Sequence, residues 1–147
     1  MKVLNEVKIT ADAKSVNESY LRVAVATFAS QLDPTVTEIS DIKTAVSEAV
    51  TNCIVHAYKN KNGKIYITAK LCENQLIIVK IRDTGIGIPD VKKAREPMFT
   101  TGGDDRSGLG FSVMECFSDK LKVSSKEGKG TTVTIYKRIR GKCDDES

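Results

Sequence analysis

Four groups of residues in this chain have types and spacings that could do chemistry. Glu48, Asn52 and His56 fall at i, i+4 and i+8 of a segment with helical apolar spacing, forming a polar stripe on the flank of an apolar helix face. Alone, such a stripe is an ordinary solvated helix edge. Asp83-Thr84-Gly85-Ile86-Gly87 follows an apolar run that reads as a buried strand. There a carboxylate can accept hydrogen bonds while two glycines let backbone come close to a flat ligand. An adenine amino group suits that acceptor, although Asp, Thr and Gly are equally the residues of a plain turn. Arg106-Ser107-Gly108-Leu109-Gly110-Phe111 sets Gly-x-Gly at the start of a helical segment, where free N–H groups and the helix dipole attract phosphate. The last group is Gly128-Lys129-Gly130-Thr131.

Several better-known motifs are excluded. Asp-Thr-Gly is the aspartic-protease signature, in which paired carboxylates of a dimer share a proton, but that reading leaves Gly-Ile-Gly and the helix stripe unexplained. Gly108-Leu109-Gly110 is not a dinucleotide fingerprint, because Ser112, Val113 and Met114 follow and the third glycine is missing. Nor is Gly128-Lys129-Gly130-Thr131 a P-loop, since Val123 stands where its first glycine would be.

The elements that must position these residues are legible. Val3, Val7 and Ile9 alternate with polar residues and predict a half-buried strand. A helix with the apolar face Val16, Tyr20, Val23, Ala24, Thr27 and Phe28 follows, ending near Asp33-Pro34 because the residue before proline leaves helical geometry. Thr35-Val36-Thr37-Glu38 fits a capping box, and Ile39, Ile42, Val46, Ala49, Val50, Cys53 and Ile54 carry a second helix to about Tyr58. Ile65 to Leu71 and Leu76 to Ile81 form a hairpin turned at Glu73-Asn74. A short helix through Phe111, Met114 and Phe117 precedes a final hairpin, Leu121 to Ser124 and Thr131 to Tyr136. The expected architecture is an α+β two-layer sandwich, a mostly antiparallel, mixed sheet with helices on one face.

At 147 residues the chain suits one domain, spanning 1–147. The start lacks a signal-peptide core and no apolar run approaches the roughly 20 residues of a membrane helix, so a cytoplasmic protein is expected. The 4 Cys are scattered and there is a single His, which indicates neither zinc site nor disulfide framework. A net charge of +4, no Trp and few aromatics give nucleic-acid binding weak support.

The order of the four groups, Glu-x-x-x-Asn, Asp-x-Gly-x-Gly, Gly-x-Gly and Gly-x-Gly-Thr, resembles the Bergerat-fold ATPases: gyrase B, Hsp90, sensor histidine kinases and MutL. Within that superfamily, Ser47-Glu48-Ala49-Val50-Thr51-Asn52, His56-Ala57-Tyr58, Ala94 to Thr101 and Arg106 to Phe111 look like the anti-sigma serine kinases of spore-forming bacteria. The likeness runs from the first strand to Tyr136.

It implies ATP or ADP with Mg2+ as cofactors, the metal held through Asn52, and Glu48 orienting or deprotonating an attacking serine hydroxyl. Asp83 would hold adenine with Thr132 helping through water. Gly85, Gly87, Thr100, Thr101, Ser107, Gly108, Leu109 and Gly110 would complete the nucleotide site, and His56 would be structural. Met98 to Ser107 would be a lid. Here Gly102-Gly103-Asp104-Asp105 replaces the family's Lys-Pro and shortens the lid, which leaves Arg106 as the cation for the γ-phosphate. The implied activity is a serine kinase that also sequesters a sporulation sigma factor and phosphorylates its anti-anti-sigma antagonist. The implied assembly is a homodimer, with Arg22 as the partner-binding residue. A nucleotide-gated sequestering module with vestigial chemistry is the alternative.

Overall fold

The computed structural model of the chain describes residues 2–96 and 106–141, and of residues 106–109 the backbone alone. Strand β1 (Val3–Asp12) leads into helix α1 (Val16–Ala29), a 3-10 turn (Ser30–Leu32) and helix α2 (Val36–Thr51). A π-helical segment (Asn52–Ala57) continues α2. Hairpin β2 (Lys64–Cys72) and β3 (Leu76–Asp83), short helix α3 (Val91–Ala94), helix α4 (Arg106–Cys116) and hairpin β4 (Lys120–Lys126) and β5 (Gly130–Arg138) complete the order. The strands form one sheet ordered β1-β2-β3-β5-β4, and each of these neighbouring pairs is antiparallel. The sheet is therefore antiparallel throughout, with no mixed pairing among the described residues.

Strand alternation supplies one side of the core. Ile65, Ile67 and Ala69 of β2, Ile77, Val79 and Ile81 of β3, and Val133 and Ile135 of β5 are buried against Val46, Val50 and Ile54. The inner helix is the one whose apolar spacing is strictest, and α2 is set by its cap. Thr35 Oγ1 accepts from Glu38 N at 3.1 Å, and Thr35 N donates to Glu38 Oε1 at 2.9 Å. The same carboxylate accepts from Arg140 N at 2.7 Å and Gly141 N at 3.1 Å, which ties the chain beyond β5 to the start of α2.

Helix α1 packs on α2 by a different face from the expected one. Leu21, Val25, Ala26 and Ala29 are buried, whereas Val16 is 79% and Tyr20 62% exposed. Both flanks of α1 carry apolar residues, so periodicity supplies a stripe without deciding which stripe meets α2. Asp33 takes a left-handed φ of 53° and ends the 3-10 turn before Pro34, which bars right-handed helix at the residue preceding it. Among the described residues no helix is long and apolar enough to cross a membrane.

The Glu38 strap makes a prediction. Burial works against its charge, but the bonds from Thr35, Arg140 and Gly141 outweigh it and hold the carboxyl below its ordinary 4.5. A lowered folded pKa contributes stability that is present above the unfolded value and lost as pH falls through 4.5 toward the folded one. Thr35→Ala should cost about 1 kcal/mol in urea unfolding at pH 7. Glu38→Ala should cost more at pH 7, and its deficit should shrink at pH 4; a deficit independent of pH would refute the strap.

Candidate functional site

The sharpest geometry lies where α2 becomes π-helical. An α-helix would have carried the Glu48, Asn52 and His56 stripe straight on, but after Asn52 the bonding lengthens, and Tyr58 N donates to Cys53 O, five residues back, at 3.0 Å. The wider turn moves His56 off the i+8 position and brings Asn52, Cys53, Val55, His56 and Ala57 to one cavity wall. Cysteine at 53 is buried, which suits a position on the seam between helix and sheet.

Asp83 forms the floor. It is the last residue of β3 and is only 5% exposed. Its Oδ1 accepts from Gly85 N at 2.9 Å and Thr131 N at 3.2 Å, and the Cys53 thiol donates to the same carboxylate. Burial pushes the Asp83 carboxyl above its ordinary range, against the pull of the Gly85, Cys53 and Thr131 bonds. Burial and the neighbouring Asp83 charge push the Cys53 thiol well up, so it serves as a donor and not as a thiolate.

The glycines of the loop serve the protein's own backbone first. A Cβ at Gly85 would stand 2.4 Å from the carbonyl oxygen of Ala57, and Ile86 N donates to that same oxygen at 3.1 Å. Gly87, at φ 76°, passes so close to the Lys126 carbonyl that a Cβ would stand 2.2 Å from it. The loop is thereby stapled to the π segment on one side and to the β4–β5 turn on the other. Gly87 lines the cavity; Gly85 does not.

Between these walls lies a cavity of about 490 Å³, closed on further sides by Ile86, Ile88, Asp90, Ala94, Phe111 and Val133. Its size and its apolar lining around one buried carboxylate fit a flat aromatic ligand with a polar edge. At its far end α4 crosses α2. A Cβ at Gly110 would stand 3.1 Å from Asn52 Oδ1 and 3.4 Å from Glu48 Oε2, so only glycine lets the two backbones approach this closely without displacing those groups.

Asn52 Nδ2 is buried and has no hydrogen-bond partner. A half-turn of the amide would put its oxygen where that nitrogen lies. The protein thus leaves one end of a buried amide unused beside a carboxylate, a donor set that fits Mg2+, which takes one or two protein oxygens and otherwise phosphate and water.

Of the residues expected from sequence, Glu48, Asn52, Asp83, Gly87 and Gly110 are brought together. Thr132 is not. Alternation along β5 turns Thr131 and Val133 toward the cavity and Thr132 to the opposite sheet face, where it pairs with Arg82 and Ser124. Thr131 takes its place, with its hydroxyl 2.7 Å from that of Ser125. The parity of Val133 and Ile135 was the signal that could have found it. Cys53, Phe111 and the α3 wall of Asp90 and Ala94 were also missed as site residues. Arg106, Ser107, Gly108 and Leu109 fall in the first turns of α4, whereas Thr100 and Thr101, with lid residues 98–105, lie outside the described residues.

Arg22 stands apart on α1. Its guanidinium reaches Glu18 Oε1 at 3.4 Å, and Ser47 Oγ donates to the same oxygen at 2.8 Å.

Residues 9–137 match the family model of the histidine kinase-like ATPase domain. The chain is 53% identical over 140 residues to the anti-sigma F factor of Caldanaerobacter subterraneus subsp. tengcongensis, covering 95% of this chain and 97% of that protein. It is 50% identical over 136 residues to the anti-sigma F factor of Clostridium acetobutylicum, covering 92% and 94%. In fold it is similar to the RsbU and RsbW domains of Rv1364c from Mycobacterium tuberculosis, at TM-score 0.68 and 20% identity over 92% of this chain and 33% of that one. It is also similar to the mycobacterial sensor histidine kinase MprB, at TM-score 0.58 and 15% identity over 92% of this chain and all of that one. Fold, cavity and near-full-length identity agree, and the chain belongs to the anti-sigma F factor family of histidine kinase-like ATPase domains.

Proposed function

We propose that the protein is an ATP-dependent serine kinase that also sequesters a sporulation sigma factor and phosphorylates a serine of its anti-anti-sigma antagonist. The observation that carries this reading is the juxtaposition of Glu48, Asn52 and Gly110 at the end of a cavity floored by Asp83. Adenine would lie against Asp83, whose ionised carboxylate accepts from the exocyclic amino group. The triphosphate would then run toward α4, whose first-turn N–H groups receive negative charge. Asn52 would hold Mg2+, which would supply charge neutralisation at the phosphates. Glu48, one turn before Asn52, would accept the proton of the partner's serine hydroxyl as its oxygen attacks the γ-phosphorus and ADP leaves. Arg106, at the start of α4, is the cation assigned to the γ-phosphate.

Partner binding is assigned to the α1 surface around Arg22, where Tyr20 and Val23 are exposed. The names of the relatives support the sigma factor as partner. A homodimer is supported by the open outer edge of β1 and by Leu4, exposed at 60%.

Glu48→Gln should keep nucleotide affinity and lower transfer from labelled ATP to the antagonist's serine by about 10²- to 10⁴-fold. Unchanged transfer would sink the kinase assignment, while sigma-factor inhibition retained in a wild-type protein without transfer would favour the gated-module alternative. Asn52→Ala should abolish the magnesium dependence of ATP binding measured by calorimetry.

Asp83 titrates in the opposite sense from Glu38. Its folded pKa is raised, so the proton returns at a higher pH than for a free carboxyl near 3.8. Adenine affinity should be full where Asp83 is ionised and should fall as pH drops through that raised value. Asp83→Asn should be weak at every pH and flat across the range; a wild-type affinity that stays flat down to pH 4 would contradict adenine recognition by this carboxylate.

A further inference from the structure

Among the described residues no helix packs on the second face of the sheet, and the side chains of that face follow from the register. One row crosses all five strands as Lys8, Thr68, Lys80, Thr134 and Lys122. Its three lysines are exposed, with half-buried threonine hydroxyls between them. The next row is Thr10, Tyr66, Arg82, Thr132 and Ser124, in which the Arg82 guanidinium carbon lies over the Tyr66 ring, 4.2 Å from its centroid. On the other side, Lys120 and Lys122 approach the ring of Tyr136 to 5.6 and 6.0 Å.

Among the described strand residues, carboxylates are nearly absent from this face. Among the described strand residues, Glu6 and Asp12 are the acids turned to it; both lie on the edge strand, and Asp12 is already bound to Lys64 at 2.5 Å. Asp83 points the other way. The modest net charge thus conceals a strongly basic plane on this face.

We propose that this open face binds single-stranded nucleic acid. Side chains on one strand face recur every ~6.8 Å, and cations two strands apart are separated by ~9.6 Å, a lattice on the scale of phosphates along an unstacked strand. Lysines with interleaved threonine and tyrosine hydroxyls are the groups that contact phosphate. Arg82, placed over the Tyr66 ring, forms with it a cationic and aromatic pair against which a base can stack. A duplex fits less well, because a plane five strands wide does not enter a groove that admits a two-stranded ribbon. An anionic membrane would meet no exposed apolar side chain on these rows, and an acidic peptide would leave the stacking plane unused.

The test is fluorescence anisotropy of a labelled 20-nucleotide oligothymidylate titrated with the full chain between 50 and 200 mM salt. Phosphate contacts from the four lysines Lys8, Lys80, Lys120 and Lys122 predict a log-affinity against log-salt slope of about −2.8, and K80E/K122E should flatten it by about 1.4. That variant should lose at least tenfold in oligonucleotide affinity and keep its MgATP affinity. The charge-matched loop variant K14E/K61E should lose much less. The proposal is overturned if no binding is seen at 50 mM salt, or if both variants lose equally. It is equally overturned if poly-glutamate or phosphatidylglycerol vesicles compete for the face as strongly as the oligonucleotide does.

Discussion

A buried carboxylate holds this site together. Asp83 closes β3, and its carboxylate gathers donors from the loop behind it, from β5 and from the thiol on the π segment. Three chain segments remote in sequence therefore meet on one side chain. A carboxylate at 5% exposure is costly unless its lone pairs are used, and here they are used by groups whose alignment fixes the cavity. The bonds leave the charge incompletely compensated, which is why its pKa remains raised. That residual demand for a donor is what a ligand amino group can meet.

The π segment is the second constraint. One extra residue in the helical turn after Thr51 lets Ala57 O receive Ile86 N while Asn52 still faces Gly110. Ala57 is among the last residues of the helix, so its carbonyl has no donor within the helix and is free to anchor the loop. The departure from regular helix is small in backbone terms, yet it allows one helix to serve the floor of the cavity and the cation end at once.

What was legible in the sequence was what depends on local periodicity. The capping box, the alternating strands and both hairpins are written within a few residues of where they act, and they appear as expected. The cluster of Glu48, Asn52 and Asp83 was legible through the order of its motifs. Choices among near-equivalent faces were not: α1 has two apolar flanks, and Thr131 and Thr132 are chemically alike, so only the packing partner and the strand parity separate them. The π turn was invisible because no side chain announces it. Likewise Gly85 reads as freedom for a ligand, whereas its demand comes from the Ala57 carbonyl.

The helix layer carries a further consequence. Arg22 on α1 is held by Glu18, Glu18 is held by Ser47, and Ser47 precedes Glu48 on α2. Glu18 Oε2 is buried without a partner, so the carboxylate has only one oxygen engaged by both neighbours. A half-buried acid with one unused oxygen is cheap to re-pair, because an incoming donor gains a charge-assisted bond. The surface assigned to partners and the helix assigned to catalysis are thus joined through one shared oxygen. A partner that draws Arg22 away must leave Glu18 resting on Ser47 alone, one residue from the carboxylate that would take the serine proton.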